Sequence, residues 1–147
     1  MTVRGMLRDL TVAAIQSAQQ QGALPPVAVP EVTVETPQNP DHGDYASNIA
    51  LRMSRTARMD PMSIAQVLAN QMSGTGFLSS VSVARPGFLN FKLSPAWVAQ
   101  QVDAILAEGD AYGSVPLGNG ETVQVEYVSA NPTGPLHVGA GRGAALG

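Results

Sequence analysis

The chain has 147 residues, 44% of them hydrophobic and 13% charged, a balance that indicates a folded protein rather than a disordered one. It contains no cysteine, which excludes disulfides and thiol chemistry and is compatible with a reducing cytosol. Its apolar stretches fall short of a membrane span, its N-terminus lacks a signal-peptide pattern, and a net charge of −3 argues against bulk attraction to nucleic acid, so any RNA contact must be local.

In chain order, Val3, Met6, Leu7, Leu10, Ala14 and Ala18 recur at helical spacing and predict a first helix over residues 2–21. Gly22 and Pro25-Pro26 end it. Residues 31–36 alternate Val32 and Val34 with polar neighbours and read as a strand. A polar turn over 37–44 follows, after which helical periodicity resumes over 45–58 through Ile49, Ala50 and Met53. Asp60-Pro61 is an N-cap and first-turn pair that opens another helix through Ile64, Val67, Leu68 and Met72, broken by Gly74-Thr75-Gly76.

Two short strands, 78–84 and 88–93, flank Arg85-Pro86-Gly87, whose last two residues supply hairpin turn geometry. Ser94-Pro95 caps a helix carrying Trp97, Val98, Val102, Ile105 and Leu106, which stops at Gly109. Residues 110–121 hold Gly113, Pro116, Gly118 and Gly120 with almost no apolar pattern, as a linker does. Residues 1–109 are therefore expected to form an α+β domain, helices on a small antiparallel sheet.

The last stretch, 122–147, starts as a β-branched alternation (Val123, Val125, Tyr127, Val128) and is expected to be a strand. A loop with Asn131-Pro132 and Gly134-Pro135 follows, then a run from His137 in which Gly139, Gly141 and Gly143 let a backbone approach a ligand. Strand, loop and glycine-rich helix start are the parts from which an α/β domain builds a phosphate site. One strand and one helix start do not close a parallel sheet, so the segment reads as the front of an incomplete Rossmann-like α/β domain in a longer protein.

Several side chains admit chemistry. Phe88 and Asn90 share one face of their strand and Leu89 and Phe91 the other, which assigns Leu89 and Phe91 to the core. Phe88 is then either a stacking surface for an unpaired base, with Asn90 bonding a base edge, or a further core residue beneath the first helices. Arg52, Arg55 and Arg58 lie three apart and cluster on one helix side, as solvated surface or as phosphate contacts. His42 between Asp41 and Asp44 suggests a turn bonding its own backbone rather than a metal site. Gly139-Ala140-Gly141-Arg142-Gly143-Ala144 satisfies the dinucleotide-binding pattern, but ten residues separate it from Val128 and no acidic residue follows at the ribose distance.

Residues 129–139, SANPTGPLHVG, resemble the signature loop of class I aminoacyl-tRNA synthetases in the form typical of arginine–tRNA ligases. Pro40-Asp41-His42-Gly43-Asp44-Tyr45-Ala46-Ser47-Asn48 and Arg85-Pro86-Gly87-Phe88-Leu89-Asn90-Phe91 are similar to elements of the N-terminal additional domain of the bacterial-type family, as is Tyr112-Gly113. The resemblance implies a cytoplasmic enzyme that activates arginine with ATP, accompanied by Mg2+, and transfers it to tRNA(Arg), with no tightly bound metal. It places His137 and Gly139 on ATP, together with Pro132, Thr133 and Gly134. It places Glu126, Ser129 and Asn131 on arginine, and Phe88 and Asn90 on the D-loop of the tRNA. The second signature histidine falls at position 140, where this chain carries Ala140, and its single lysine, Lys92, is not in a lysine-bearing loop downstream of the signature. The polypeptide is accordingly expected not to aminoacylate tRNA by itself. The alternative is a non-catalytic module that binds the tRNA elbow or a protein partner.

Overall fold

The computed structural model describes residues 2–72, 74–115, 117–118, 120–131 and 133–146. Two compact units divide the chain, Met1–Gly109 and Asp110–Gly147.

In the first unit, α1 (Val3–Gln20) opens with Thr2, whose hydroxyl accepts the Gly5 N–H at 3.2 Å, a side-chain cap for one orphan donor of the first turn. Its buried stripe of Leu7, Ala14, Ile15 and Ala18 follows the helical period. Helices α2 (Ile49–Ala57) and α3 (Pro61–Met72) bury Met53 and Ile49, and Ile64, Leu68 and Met72, into the same cluster. The Asp60 carboxylate accepts the Ser63 N–H at 2.9 Å, so the Asp-Pro start acts as the sequence predicts. Helices α2 and α3 pack on an antiparallel sheet in the order β1-β3-β2, made of β1 (Tyr45–Ser47), β2 (Leu78–Ala84) and β3 (Phe88–Leu93), and α1 packs against α3. This is the α+β arrangement expected from composition and periodicity.

The central strand supplies the sheet's contribution to the core: Leu89 and Phe91 are both fully buried. The hairpin turns through Arg85-Pro86-Gly87, with a cis Arg85–Pro86 bond and the Gly87 N–H donating to the Ala84 carbonyl at 2.9 Å. Gly43 is required where it stands. Its φ is +90°, and a Cβ there would sit 2.6 Å from the Phe91 carbonyl oxygen. That close approach lets Asp44 clamp the end of β3: its N–H donates to the Phe91 carbonyl at 2.8 Å and its carboxylate accepts the Leu93 N–H at 2.8 Å.

Three expectations are corrected. The helix expected over residues 45–58 begins only at Ile49, because Tyr45–Ser47 pairs with Leu89–Phe91 as an edge strand. The strand expected over 31–36 is reduced to one bridge, Glu35 with Ala46, while Val32 and Val34 still face the core. There the alternation set which residues point inward, but a continuous ladder did not form. The strand expected at Val123–Val128 is absent: these residues form no regular secondary structure, bend at Tyr127 and are exposed at Val123, Val125, Tyr127 and Val128, with no ladder partner among the described residues. A strand exists only by pairing, and its residues alone do not supply the neighbour.

Helix α4 (Pro95–Glu108) starts at Ser94, whose hydroxyl accepts the Trp97 N–H at 3.4 Å, and Trp97 tilts against Phe77 with ring centroids 5.9 Å apart. In the second unit α5 (Val138–Leu146) is the one α-helix among the described residues.

Candidate nucleic-acid interface and signature loop

The sheet face turned away from the helices carries a cleft of about 490 Å³. Its floor is β3 and β1, its far wall is the irregular segment 33–39, and its mouth is the hairpin turn at Arg85. Phe88 and Asn90 both line it, as two residues on the same side of one strand must. Phe88 is 37% exposed and Asn90 only 6%, so the ring is presented at the rim while the amide lies deep. The Asn90 side chain makes no hydrogen bond among the described residues and its amide atoms stay open to the cleft, whereas the one fully buried side-chain polar atom without a partner there is the Ser47 hydroxyl. An open aromatic face beside an unpaired donor–acceptor group is suited to a flat heterocycle with polar edges.

Two side-chain bonds hold the wall in place. The Arg52 guanidinium donates to the Glu31 carbonyl, and the Arg4 guanidinium reaches the Thr36 hydroxyl at 3.4 Å. A third bond, Thr33 hydroxyl to the Asn48 amide oxygen at 3.3 Å, joins it to the start of α2. Arg52, read from sequence as one of three clustered arginines, is thus occupied as a tether. Arg58 stands outside α2 as a left-handed C-cap with φ of +52° and does not continue the row. His42 ends a short 3-10 turn over Pro40–His42 and lines the cleft, while the Asn39 side chain accepts the Asp41 N–H at 3.0 Å. Among the described residues no group of three or more His, Asp or Glu side chains is placed to hold a metal ion.

Sequence reasoning named Phe88 and Asn90 but missed the opposing wall. The available signal was the outward half of the alternation at 31–36: with Val32 and Val34 inward, Thr33 and Glu35 must face the same side as Phe88 and Asn90.

In the second unit the loop folds around a depression of about 510 Å³. Ser129, Asn131, Thr133, Gly134, His137, Gly139 and Ala140 all line it, whereas Glu126 does not. Pro132 lies outside the described residues. His137 caps α5: its Nδ1 accepts the Gly139 N–H at 3.1 Å and its carbonyl accepts the Ala140 N–H at 2.9 Å. A Cβ at position 139 would lie 2.9 Å from His137 Cε1, so glycine there keeps the ring against the helix start. The cap uses one ring nitrogen and leaves Nε2 free to meet an anion at the positive end of α5. Ala140 adds only a methyl group to this lining and donates nothing from its side chain. No helix among the described residues is long and apolar enough to cross a membrane.

Known proteins resemble this chain over its whole length. Arginine–tRNA ligase of Dehalococcoides mccartyi (strain CBDB1) is 41% identical over 147 residues, which is 100% of this chain and 26% of that protein. The ligase of Caldanaerobacter subterraneus subsp. tengcongensis is 43% identical over 142 residues, 96% of this chain and 25% of that protein. The chain therefore spans about a quarter of the length of the curated relatives it matches. Among solved structures, Thermus thermophilus arginyl-tRNA synthetase shares the fold with a TM-score of 0.52 at 24% identity, over 99% of this chain and 22% of that one. The Plasmodium falciparum enzyme gives 0.58 at 14% identity, over 68% and 17%. The profile described as the arginyl tRNA synthetase N terminal domain matches residues 6–93, and the chain belongs to that family.

Proposed function

We propose that the unit Met1–Gly109 is the tRNA-facing module of an arginine–tRNA ligase, and that its cleft at Phe88 and Asn90 receives an unpaired base from the D-loop at the tRNA elbow. The observation that carries this reading is the cleft itself: an exposed aromatic ring and an unpartnered, 6% exposed amide on one face, inside the segment matched by the family profile. Stacking on Phe88 supplies sequence-tolerant affinity, and the Asn90 amide supplies base-edge contact. Arg85 at the mouth offers a cation to the phosphate backbone.

In the same reading the linker over 110–121 joins this module to the first strand, loop and helix start, 122–147, of the class I Rossmann-like catalytic domain. Within a full-length ligase the segment 123–128 becomes a strand once neighbours are available to it. The chemistry is adenylation in the cytoplasm: the carboxylate of arginine attacks the α-phosphorus of ATP, pyrophosphate leaves, and the arginyl group then passes to tRNA(Arg). Mg2+ enters with ATP. Catalysis of such a step is mostly positioning and charge stabilisation. His137 and the positive end of α5 face the phosphates, with Thr133, Gly134 and Gly139 forming the nucleotide's bed and Pro132 in the same loop. Glu126 pairs with the guanidinium of arginine, and Ser129 and Asn131 complete that side. Support comes from the shared depression that gathers Ser129, Asn131, Thr133, Gly134, His137 and Gly139.

A second reading, a non-catalytic tRNA-binding module, draws on Ala140, which removes a side-chain donor from the lining of that depression. Fluorescence anisotropy with the full chain tests the RNA binding common to both readings. The chain is expected to bind tRNA(Arg) more tightly than a fully base-paired RNA hairpin of equal charge. Equal affinity for the two RNAs would remove base recognition, and no affinity for either would remove the RNA reading altogether.

A further inference from the structure

We infer that Glu35 is a second recognition group in the cleft, reading a base N–H from the side opposite Asn90. This rests on the RNA-binding reading above. Three pairings establish the geometry. Glu35 and Ala46 exchange both backbone bonds, Glu35 N–H to Ala46 carbonyl at 2.9 Å and Ala46 N–H to Glu35 carbonyl at 2.8 Å. Ala46 in turn is the register partner of Asn90, and Asn90 of Ser82. Residues directly opposite one another in a sheet project to the same face, so Glu35, Ala46, Asn90 and Ser82 form one lateral row.

The spacing follows from the bonding pattern. Since Ala46 spends both backbone groups on Glu35, its pairing with Asn90 is of the closer, non-hydrogen-bonded kind. The Cα atoms of Glu35 and Asn90 are then about 10 Å apart, from roughly 5.5 Å for the first pair and 4.5 Å for the second. Between them stands only the methyl group of Ala46. A carboxylate and an amide thus flank a small apolar floor, with the Phe88 ring one pleat along β3 on the same face. A nucleobase lying over Ala46 has both groups within reach of its edge.

The chemistry is complementary. The Glu35 carboxylate accepts and cannot donate, so it takes a base N–H; the Asn90 amide donates or accepts and takes the neighbouring carbonyl or ring nitrogen. Glu35 has no ion pair or side-chain hydrogen bond among the described residues. Its carboxylate is therefore available, although an acidic group beside a polyanion is unfavourable unless it is used.

That opposition gives the test its sign. Simple electrostatics has Glu35→Ala and Glu35→Gln tighten RNA binding or leave it unchanged, because each removes a repulsive charge. Recognition has Glu35→Ala weaken binding of the full chain to tRNA(Arg) by about tenfold or more, the loss of one hydrogen bond to a charged group. Glu35→Gln, which keeps an acceptor but loses the charge, is expected to lie between. Asp41→Asn, an exposed acid outside the lining of this cleft, serves as the electrostatic control and is expected to tighten binding slightly or leave it unchanged. Thermal melts keep folding in view, and only the backbone of Glu35 takes part in the bridge, so both variants retain it. Affinity for tRNA(Arg) that is unchanged or raised in Glu35→Ala overturns the inference while leaving the Phe88–Asn90 reading intact. A wild-type chain without tRNA affinity overturns both.

Discussion

Replacing Gly43 by alanine tests how the sheet is closed. The residue has φ of +90° and ψ of −167°, a region occupied almost only by glycine, and forcing a side chain into it costs about 1–3 kcal/mol. The new methyl would also lie 2.6 Å from the Phe91 carbonyl oxygen, a backbone atom that no rotamer change can move aside. The end of β1 must then withdraw from β3. That loosens the two 2.8 Å bonds made by Asp44, each contributing about 1 kcal/mol. The total is a loss of about 3–5 kcal/mol, a large share of the ~5–15 kcal/mol that stabilises an ordinary domain. With a urea slope near ~2 kcal/mol/M, the unfolding midpoint of the variant falls by roughly 2 M. Gly22→Ala is the control: Gly22 has φ of +73°, but nothing lies within 4 Å of where its Cβ would stand. It carries the backbone penalty without the clash, about 1 kcal/mol. Equal midpoints for the two variants would refute the close approach at Phe91 as the reason for glycine.

Three further outcomes follow from the same reasoning. Asp60→Ala removes the cap on the Ser63 N–H and is expected to lower stability by about 1 kcal/mol, read as a shift in the urea midpoint with unchanged slope. Leu89→Ala, at a fully buried core position, is expected to cost about 2–5 kcal/mol, a loss that distinguishes the inward face of β3 from the outward one. Within a full-length ligase, Ala140→His is expected to raise the rate of arginine-dependent pyrophosphate exchange, by up to about 10²–10³ if the side chain donates to developing charge. An unchanged rate would assign Ala140 no part in the reaction.

What the sequence disclosed was mostly what local chemistry determines. Asp60-Pro61, Ser94-Pro95 and the Arg85-Pro86-Gly87 turn each settle their own backbone, and the elements they start or join lie where they were expected. The faces of β3 were also legible, because strand alternation alone separates Leu89 and Phe91 from Phe88. Pairing was not. Tyr45-Ala46-Ser47 is too short to declare a period, and it is a strand only because β3 accepts it, a contact some 45 residues away in sequence. Val123–Val128 fails for the converse reason: the composition favours a strand, but no partner is at hand among the described residues. The cleft's far wall was hidden for a related reason, since segment 33–39 is held by Arg4 and Asn48, and Glu31 just before it by Arg52, side chains that nothing in the linear order ties to it. The face Asn90 shares with Phe88 does not disclose its depth, and its burial at the base of the cleft emerges only once β3 is central.

The most direct test of the account is the affinity of the full chain for tRNA(Arg) before and after Phe88→Ala, each measured beside a thermal melt. A ring that stacks on a base contributes roughly 1–3 kcal/mol, so the account predicts a dissociation constant weakened by about 5- to 150-fold, with the melting temperature lowered by no more than about 5 °C. Unchanged affinity, or a collapse in melting temperature that would place Phe88 in the core instead, would contradict it.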